Sequence, residues 1–197
     1  MARSREFDRD AVVRAARQFF WAHGYEDSSI AGLETATGLN RSSIYNAFES
    51  KRGLFDAAVQ SYLDEIVRPR LVPLQGDEVD AGALATYLGT LGAAFSRVGS
   101  MPAENGCLLI NAAGAPVSRD AEVARVIDDY RAEMHAAISR GVEAALPAAS
   151  EARRARLADV VTGLVVAAFA LVRTSPAEAI RSLGTAAELV DAEGERA

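Results

Sequence analysis

Residues 28–55 decide the fold of this chain, and they read SSIAGLETATGLNRSSIYNAFESKRGLF. Ser28 or Ser29 can cap a helix of about two turns, because a serine side chain accepts hydrogen bonds from the free amides at a helix start. Gly38 then permits the left-handed backbone conformation that ends such a helix. The first half of the stretch therefore predicts one short helix with marked ends.

A second short helix is predicted over Arg41–Phe48. Asn40 can cap it, and Ile44, Ala47 and Phe48 fall on one face at helical spacing. A turn of about three residues separates it from the preceding helix. Two short helices joined by so brief a turn are typical of a helix-turn-helix.

Longer helices are predicted on both sides of this pair. On the N-terminal side, Asp8 is a suitable N-cap and Gly24 a suitable stop. On the C-terminal side, Ser50 can cap a helix that ends before Pro69, since the residue before a proline is biased away from helical geometry. Residues 68–80 hold two prolines and a glycine and are the predicted joint to the rest of the chain.

The remaining sequence also predicts helices, because apolar residues recur at helical spacing and β-type alternation is absent. These helices cover residues 81–98, 104–113, 119–146, 151–173 and 176–191. With the four preceding ones, they bring the expected number to about nine. The predicted fold class is all-α, with a helix-turn-helix domain over residues 1–50 and a second helical domain over residues 51–197.

Composition constrains where the protein works and with what partners. The 197 residues carry a formal net charge of −6, which is unfavourable for binding nucleic acid. Residues 1–55 carry about +1, however, so the acidic excess lies downstream. The single cysteine, Cys107, excludes an internal disulfide and fits a reducing compartment. A charged start and the lack of a bilayer-length apolar segment predict a cytoplasmic protein without membrane attachment.

Five polar side chains face away from the apolar side of the second short helix and form a candidate nucleic-acid surface: Arg41, Ser42, Ser43, Tyr45 and Asn46. Arginine can read guanine, asparagine can read adenine, and hydroxyl groups can donate to phosphate oxygens. The alternative is an ordinary solvated helix face, which is the usual role of polar helix positions.

Lys51 and Arg52 favour the nucleic-acid interpretation. They fall in the first turn of the next helix, where the helix dipole disfavours cations. A DNA phosphate bound at that helix start would offset the effect, so Lys51 is interpreted as a phosphate contact. An isolated surface cation is the alternative. Arg3 and Arg5 are predicted to add minor-groove or phosphate contacts from the N-terminal arm, with a disordered arm as the alternative.

Residues 19–62 resemble the DNA-binding domain of the TetR/AcrR family of bacterial regulators. The residues that carry the resemblance occur in the family's order and spacing: Gly24-Tyr25, Ser28-Ser29, Leu33, Thr37-Gly38-Leu39, Ser43-Ile44-Tyr45, Phe48, Ser50-Lys51 and Leu54-Phe55. Two positions depart from the family pattern: Ala47 replaces a larger side chain, and Arg52-Gly53 replaces an acidic pair.

The resemblance implies a homodimer that binds operator DNA and is usually released by a small molecule bound in its helical second domain. It also implies DNA contacts at defined positions. Base or phosphate contacts are implied for Arg41, Ser42, Ser43 and Asn46, and phosphate contacts for Tyr45 and Lys51. Thr37 or Ser29 is implied to contact the DNA backbone.

The last two helices are predicted to form the dimer interface. Residues 157–172 are apolar around much of the helix, and such a helix must be covered on several sides. Closed two-fold dimers dominate soluble oligomers, so we predict a homodimer through residues 151–173 and 176–191. Packing within one chain is the alternative.

Polar or polarisable residues on otherwise apolar helices are the candidates for a ligand pocket: Tyr87, Phe95, Cys107, Asn111, Tyr130, Met134, His135 and Phe169. Residues of these types are more often part of a core, and they do not reveal the chemistry of the ligand. Cys107 is either a sensor of electrophiles or oxidants or a small buried hydrophobic residue.

No cofactor, metal site or catalytic motif is predicted. His23, His135 and Cys107 lack the spacing of metal ligands, and the sequence has neither a phosphate-binding glycine loop nor a nucleophile elbow. We therefore predict a non-enzymatic, ligand-responsive repressor that binds a palindromic operator in double-stranded DNA as a dimer. The alternatives are a transcriptional activator, and a helical ligand-binding or enzymatic protein that keeps the helix-turn-helix as a structural element.

Overall fold

A computed structural model describes residues 7–194, and every regular element in that range is a helix. In chain order the helices are α1 (Arg9–His23), α2 (Ile30–Thr37), α3 (Arg41–Phe48), α4 (Lys51–Tyr62), α5 (Arg68–Leu71), α6 (Ala83–Ser96), α7 (Met101–Asn105), α8 (Leu108–Ala113), α9 (Ala121–Ala145), α10 (Glu151–Leu171) and α11 (Pro176–Gly194). The predicted all-α class is confirmed. We call α1–α4 the head and α6–α11 the body. Arg3 and Arg5 lie outside the described residues.

The first four helices begin at the predicted capping residues. Four side chains cap them by accepting amide hydrogen bonds: Asp8 for α1, Ser29 for α2, Asn40 for α3 and Ser50 for α4. Gly38 ends α2 in the left-handed conformation, with φ at 70°. The helix-turn-helix is therefore α2 and α3, and α3 has the bounds that the sequence predicted.

Apolar side chains from all four helices form the core of the head. Phe20, Leu33, Ile44 and Leu54 are fully buried, one from each helix. Phe55 adds an edge-on contact with Phe20, with 5.1 Å between ring centroids. The core holds α3 from one side only, so the other side is open.

The helix that follows the helix-turn-helix does not end before Pro69, contrary to the prediction. α4 continues into a π-helical segment, Leu63–Val67, and then into α5, where Pro69 occupies the first turn. A proline is tolerated in a first turn because the amides there lack an intrahelical partner. Helical structure therefore persists through a 3-10 turn, Val72–Leu74, and the irregular joint begins only after it.

The predicted helix over residues 104–113 is split into α7 and α8 at Gly106. Gly106 has a φ of 65°, and a Cβ built there would lie 2.4 Å from the carbonyl oxygen of Phe169 in α10. This close approach requires a residue without a side chain. The other predicted body helices are present, with ends shifted by a few residues.

In the body, α11 packs against α10 and α6, and α9 packs against α10 and α6. Val161, Val165 and Phe169 of α10 are buried by these neighbours. Within residues 7–194, none of the helices combines the length and the apolar character needed to cross a membrane.

Candidate nucleic-acid interface

The outer face of α3 brings the five predicted recognition side chains together. All of them are at least partly exposed: Arg41, Ser42, Ser43, Tyr45 and Asn46. Ile44 and Phe48 on the opposite face are buried, which fixes the helix to the core of the head. The segment has one face that holds it and one that is open to a partner.

Arg41 carries the positive charge of this face. Its guanidinium carbon lies 5.5 Å from the centre of the Tyr45 ring, a cation–π arrangement that lays the side chain along the helix. Its backbone amide donates to the carboxylate of Glu34 at 2.5 Å. Among residues 7–194, no carboxylate forms an ion pair with the guanidinium, so its charge is available to an anion.

Ser29 and Thr37, the two residues predicted to contact DNA from α2 and its cap, differ in whether their hydroxyl protons are free to bond to a phosphate. Ser29 Oγ accepts a hydrogen bond from the Gly32 amide at 3.0 Å, which leaves its own proton free for a phosphate. Thr37 Oγ1 donates to the Leu33 carbonyl oxygen at 2.6 Å and accepts from the Leu39 amide at 3.3 Å. Thr37 would have to give up its bond to Leu33 to donate to a phosphate, so Ser29 is better placed.

Lys51 is held by neighbouring groups of the head. Its ammonium nitrogen lies 4.4 Å from the centre of the Tyr25 ring and 3.4 Å from the carbonyl oxygen of Glu26. Burial lowers the pKa of Lys51, and the carboxylates of Glu26 and Asp27 oppose that shift. The ring and the carbonyl offset part of the unfavourable helix dipole. The helix dipole alone therefore argues less strongly for a bound phosphate than the sequence suggested, and the phosphate contact of Lys51 stays a prediction.

Arg52 is tied to the body. Its guanidinium pairs with Asp56 at 2.7 Å and with Asp120, the N-cap of α9, at 2.7 Å. The hydrogen bond with Asp120 raises the pKa of Arg52 and lowers the pKa of the Asp120 carboxyl. The dipole effect at Arg52 is thus offset by carboxylates of the protein itself.

Arg9 supports α3 and was missed by the sequence reasoning. Its guanidinium donates to the carbonyl oxygen of Ala47 at 3.0 Å and lies 4.4 Å from the centre of the Phe48 ring. A cation at this end of α3 is favoured by the helix dipole. No local pattern predicted the contact, because Arg9 is distant from α3 in the sequence.

Two further hydrogen bonds join the head to the body. Trp21 Nε1 donates to the carbonyl oxygen of Gly106 at 3.2 Å. The Val117 amide donates to the Glu26 carboxylate at 2.6 Å. Together with the Arg52 ion pair, they attach the head to residues 106–120 at three places.

The predicted ligand residues are divided among separate places. Four of them line one small cavity, called the body cavity, where the body meets α4 and α5, with a volume of about 10 Å³: Tyr87, Tyr130, Met134 and Phe169. Cys107 adjoins this group, since its Sγ donates to Tyr130 Oη at 3.4 Å. Phe95 packs edge-on against Phe169, with 5.7 Å between ring centroids. These six side chains therefore form one cluster.

Asn111 and His135 do not belong to that cluster. The Asn111 amide donates to the carbonyl oxygen of Asn105 at 2.7 Å, beside a cleft between the body and the α1–α2 turn. His135 lies on the outer side of α9, where its ring pairs with Asp159 at 2.9 Å. Within residues 7–194, no group of three or more His, Cys, Asp or Glu side chains is placed to hold a metal ion.

Five further residues that the sequence reasoning missed complete the cavity, and two of them carry polar groups, Tyr62 and Arg70. Burial raises the pKa of Tyr62, Tyr87 and Tyr130, so the three phenols stay protonated and can donate hydrogen bonds. A signal for Tyr62 was present, because a tyrosine in an apolar stripe needs a partner for its hydroxyl group. Arg70 gave no such signal.

Known proteins resemble both the sequence and the fold. Residues 12–58 match the model of the bacterial regulatory proteins, tetR family. The HTH-type transcriptional repressor ComR of Escherichia coli (strain K12) is 36% identical over 110 residues, which are 55% of this chain and 51% of ComR. The HTH-type transcriptional regulator YezE of Bacillus subtilis (strain 168) is 28% identical over 145 residues, 72% of each protein. The chain thus spans about half the length of ComR.

A solved structure extends the likeness over the whole chain. CifR, a TetR family transcriptional regulator solved as a cysteine mutant with 26-base-pair operator DNA, has a TM-score of 0.77 at 28% identity and covers 94% of this chain and 98% of CifR. A helix-turn-helix with an open polar face on an all-helical body is the arrangement of a DNA-binding transcriptional regulator. Residues 12–58 thus resemble the DNA-binding part of the TetR family, and the fold as a whole is similar to that of CifR.

Proposed function

We propose that this chain is a transcriptional regulator of the TetR family, a repressor that binds a palindromic operator as a homodimer in the cytoplasm and leaves it when a small molecule binds the body. The observation that carries the proposal is the open polar face of α3, where the Arg41 guanidinium forms no ion pair with a carboxylate among residues 7–194. The similarity to ComR, a repressor, and to CifR, solved with operator DNA, supports the same conclusion.

We assign each DNA contact according to whether the polar group of the side chain is free of a hydrogen-bond partner within the protein. Arg41, Ser42, Ser43 and Asn46 contact bases or phosphates from α3. Tyr45, Lys51 and Ser29 contact phosphates, and Thr37 contributes least because its hydroxyl group is already bonded. In this proposal residues 1–50 bind DNA, and residues 51–197 provide the ligand site and the dimer interface.

An uncovered apolar stripe on α10 supports the dimer. Val160 is 44% exposed and Leu171 is 36% exposed, while Leu164 between them is half-buried. Leu189 on α11 is 37% exposed. A second copy related by two-fold symmetry would cover these side chains through α10 and α11. Such a dimer would place its two copies of α3 in successive major grooves, about 34 Å apart.

Selection of bound fragments from random DNA, followed by fluorescence anisotropy on the selected duplex, tests the DNA-binding function. We expect a two-fold symmetric sequence. Arg41→Ala combined with Lys51→Ala should abolish binding, whereas Arg125→Ala, a charge change on the outside of α9, should leave it unchanged. Equal binding by the double variant and the unaltered protein would overturn the proposal and favour a head that serves only as a structural element.

Reporter expression distinguishes a repressor from an activator. Deleting the regulator raises transcription from its operator if it is a repressor and lowers it if it is an activator.

Cys107 is proposed as a packing residue of the ligand site. It is fully buried, and its thiol donates to Tyr130 Oη instead of facing solvent. Cys107→Ser should therefore keep the response to ligand. A variant that binds the operator but no longer responds would instead favour Cys107 as a sensor of electrophiles or oxidants.

A further inference from the structure

The small cavity of the body has an uncompensated cation in its wall. Arg70 lines it, and within residues 7–194 no Asp or Glu either lines this cavity or pairs with Arg70. The nearby Arg68 differs, because it pairs with Asp64 and Glu133. A cation that faces phenols and apolar side chains without a carboxylate leaves a site for an anion.

The π-helical segment Leu63–Val67 turns Arg70 toward this cavity. In a regular α-helix, Arg70 would point roughly 80° away from Tyr62, because each residue advances by about 100°. Here the Arg68 amide bonds to the Leu63 carbonyl oxygen, one residue further back than in an α-helix. The wider turn advances by less per residue and brings Arg70 back to the side of Tyr62. π-turns of this kind are frequent at functional sites.

The lining of the cavity selects for hydrogen-bond acceptors. Tyr62 and Tyr87 offer phenol protons and Arg70 offers guanidinium protons, whereas Tyr130 Oη already donates to Met134 Sδ at 3.8 Å. Burial keeps the pKa of each phenol high, so none of them becomes a competing anion. The rest of the wall is apolar or thioether: Val67, Leu71, Leu91, Met134 and Phe169.

The exposure of the lining residues indicates from which side a ligand would enter the cavity and how it would lie there. Arg70 is half-buried, whereas every other lining residue is buried. The mouth of the cavity therefore lies at Arg70, and the apolar wall lies deeper. The cavity of about 10 Å³ holds no more than a water molecule, so a ligand must widen it. Met134, with its flexible thioether chain, and Arg70, which can swing toward solvent, are the side chains able to move.

We propose that this cavity binds a small monocarboxylate with an apolar tail, with the carboxylate at Arg70 and the tail toward Met134 and Phe169. The inference rests on the proposed function, because it names the chemical class of the ligand that the repressor responds to.

The test compares acids with uncharged amides of the same shape. The probes are butyrate, hexanoate and benzoate, each paired with its amide, and binding to the full chain is measured by thermal shift and calorimetry without DNA. We expect the acids to raise the Tm and bind, and the amides to bind roughly 10- to 100-fold more weakly, since they lose the charge-assisted bond to Arg70.

Two variants locate the effect. Arg70→Gln should weaken binding of the acids by roughly the same 10- to 100-fold factor and leave the amides unaffected. Arg68→Gln, a matched change at an arginine paired with carboxylates, should preserve the preference for acids. If Arg70→Gln fails to fold, the comparison of acids with amides on the unaltered chain still tests whether the cavity prefers a carboxylate.

Equal or tighter binding of the amides would overturn the inference, as would unchanged acid binding by Arg70→Gln or no binding by any acid of the set. These outcomes are separable from a failure of the proposed function. The binding assay contains no DNA, whereas the proposed function fails only if the chain binds no operator or if no ligand releases it.

Discussion

Trp21 in α1 and Gly106 between α7 and α8 are joined by a hydrogen bond of 3.2 Å from the indole nitrogen to the carbonyl oxygen. Gly106 also lies against the Phe169 carbonyl of α10. The next residue, Cys107, reaches Tyr130 beside the body cavity. Two consecutive residues therefore contact the head, the cavity and the helix proposed for the dimer interface.

Trp21→Phe should destabilise the chain. The phenyl ring keeps part of the edge-on contact with Tyr62, at 4.9 Å in the native structure, but it cannot donate to the buried Gly106 carbonyl. An unpaired buried carbonyl costs about 1–3 kcal/mol. Urea denaturation should show a lower free energy of unfolding by that amount, and an unchanged value would mean that the hydrogen bond contributes nothing.

Gly106→Ala should be more damaging than an ordinary glycine substitution. The new Cβ would meet the Phe169 carbonyl at 2.4 Å in a backbone conformation with φ of 65°. We expect a loss of about 2 kcal/mol or more, measured by thermal or urea unfolding. Gly89→Ala is the matched control, because a Cβ on this exposed position of α6 meets nothing within 4 Å. It should stabilise the chain by about 0.5–1 kcal/mol.

Lys51→Gln should reduce the salt dependence of operator binding. A lost phosphate contact makes the slope of log Kd against log salt concentration shallower by about 1 per protomer. Arg52→Gln removes an adjacent cation that is already paired with Asp56 and Asp120, so its slope should stay unchanged. Anisotropy titrations at several salt concentrations measure both. Equal slopes for Lys51→Gln and the unaltered protein would contradict the phosphate contact.

Acid should weaken the fold partly through Glu65. Hydrogen bonding from Arg17, at 2.9 Å, lowers the pKa of Glu65. A carboxyl whose pKa is lower in the folded state contributes stability above its unfolded pKa and loses it as pH falls through the folded pKa. Glu65→Gln should lower the free energy of unfolding at pH 7 by about 0.5–1 kcal/mol, since solvent screens a side chain that is 42% exposed.

The same variant should show a smaller loss of stability below about pH 5 than the unaltered chain. Urea unfolding between pH 7 and pH 3 measures how the free energy of unfolding changes with pH. Glu188→Gln, on the exposed side of α11, is the control. Parallel pH curves for all three proteins would exclude a contribution from Glu65.

Val160→Glu with Leu171→Glu should convert the proposed dimer into a monomer. Two carboxylates on the uncovered stripe of α10 would face their copies across a two-fold axis, where burying unpaired charge is unfavourable. Light scattering at micromolar protein measures the mass. Val98→Glu is the control, since Val98 is 97% exposed outside α10 and α11. A monomeric mass for the unaltered chain would refute the dimer.

The helix-turn-helix could be predicted from sequence because its determinants are local. A cap such as Asn40 and a stop such as Gly38 act within one turn of their own helix. The bounds of α3 and the division of its faces follow from those residues and from the spacing of Ile44 and Phe48.

The features that were mispredicted depend on residues distant in sequence. The break at Gly106 is imposed by the backbone of α10, and the contact of Lys51 with the ring of Tyr25 was not predicted. Pro69 gave a misleading stop signal, because the preceding π-helical segment lets the helix restart at that point. The position of Arg70 in the cavity wall follows from the same segment.

The π-helical segment Leu63–Val67 also has an evolutionary consequence. A π-turn encloses one more residue than an α-turn, so deleting a single codon within it would restore regular α-helix and leave Arg70 seven positions after Tyr62, roughly 20° from the same side. The connection could therefore lose this one residue and keep its cation in the cavity wall, whereas a regular α-helix of the present length would turn Arg70 away. A relative whose connection is one residue shorter is thus expected to keep the same preference for charged ligands.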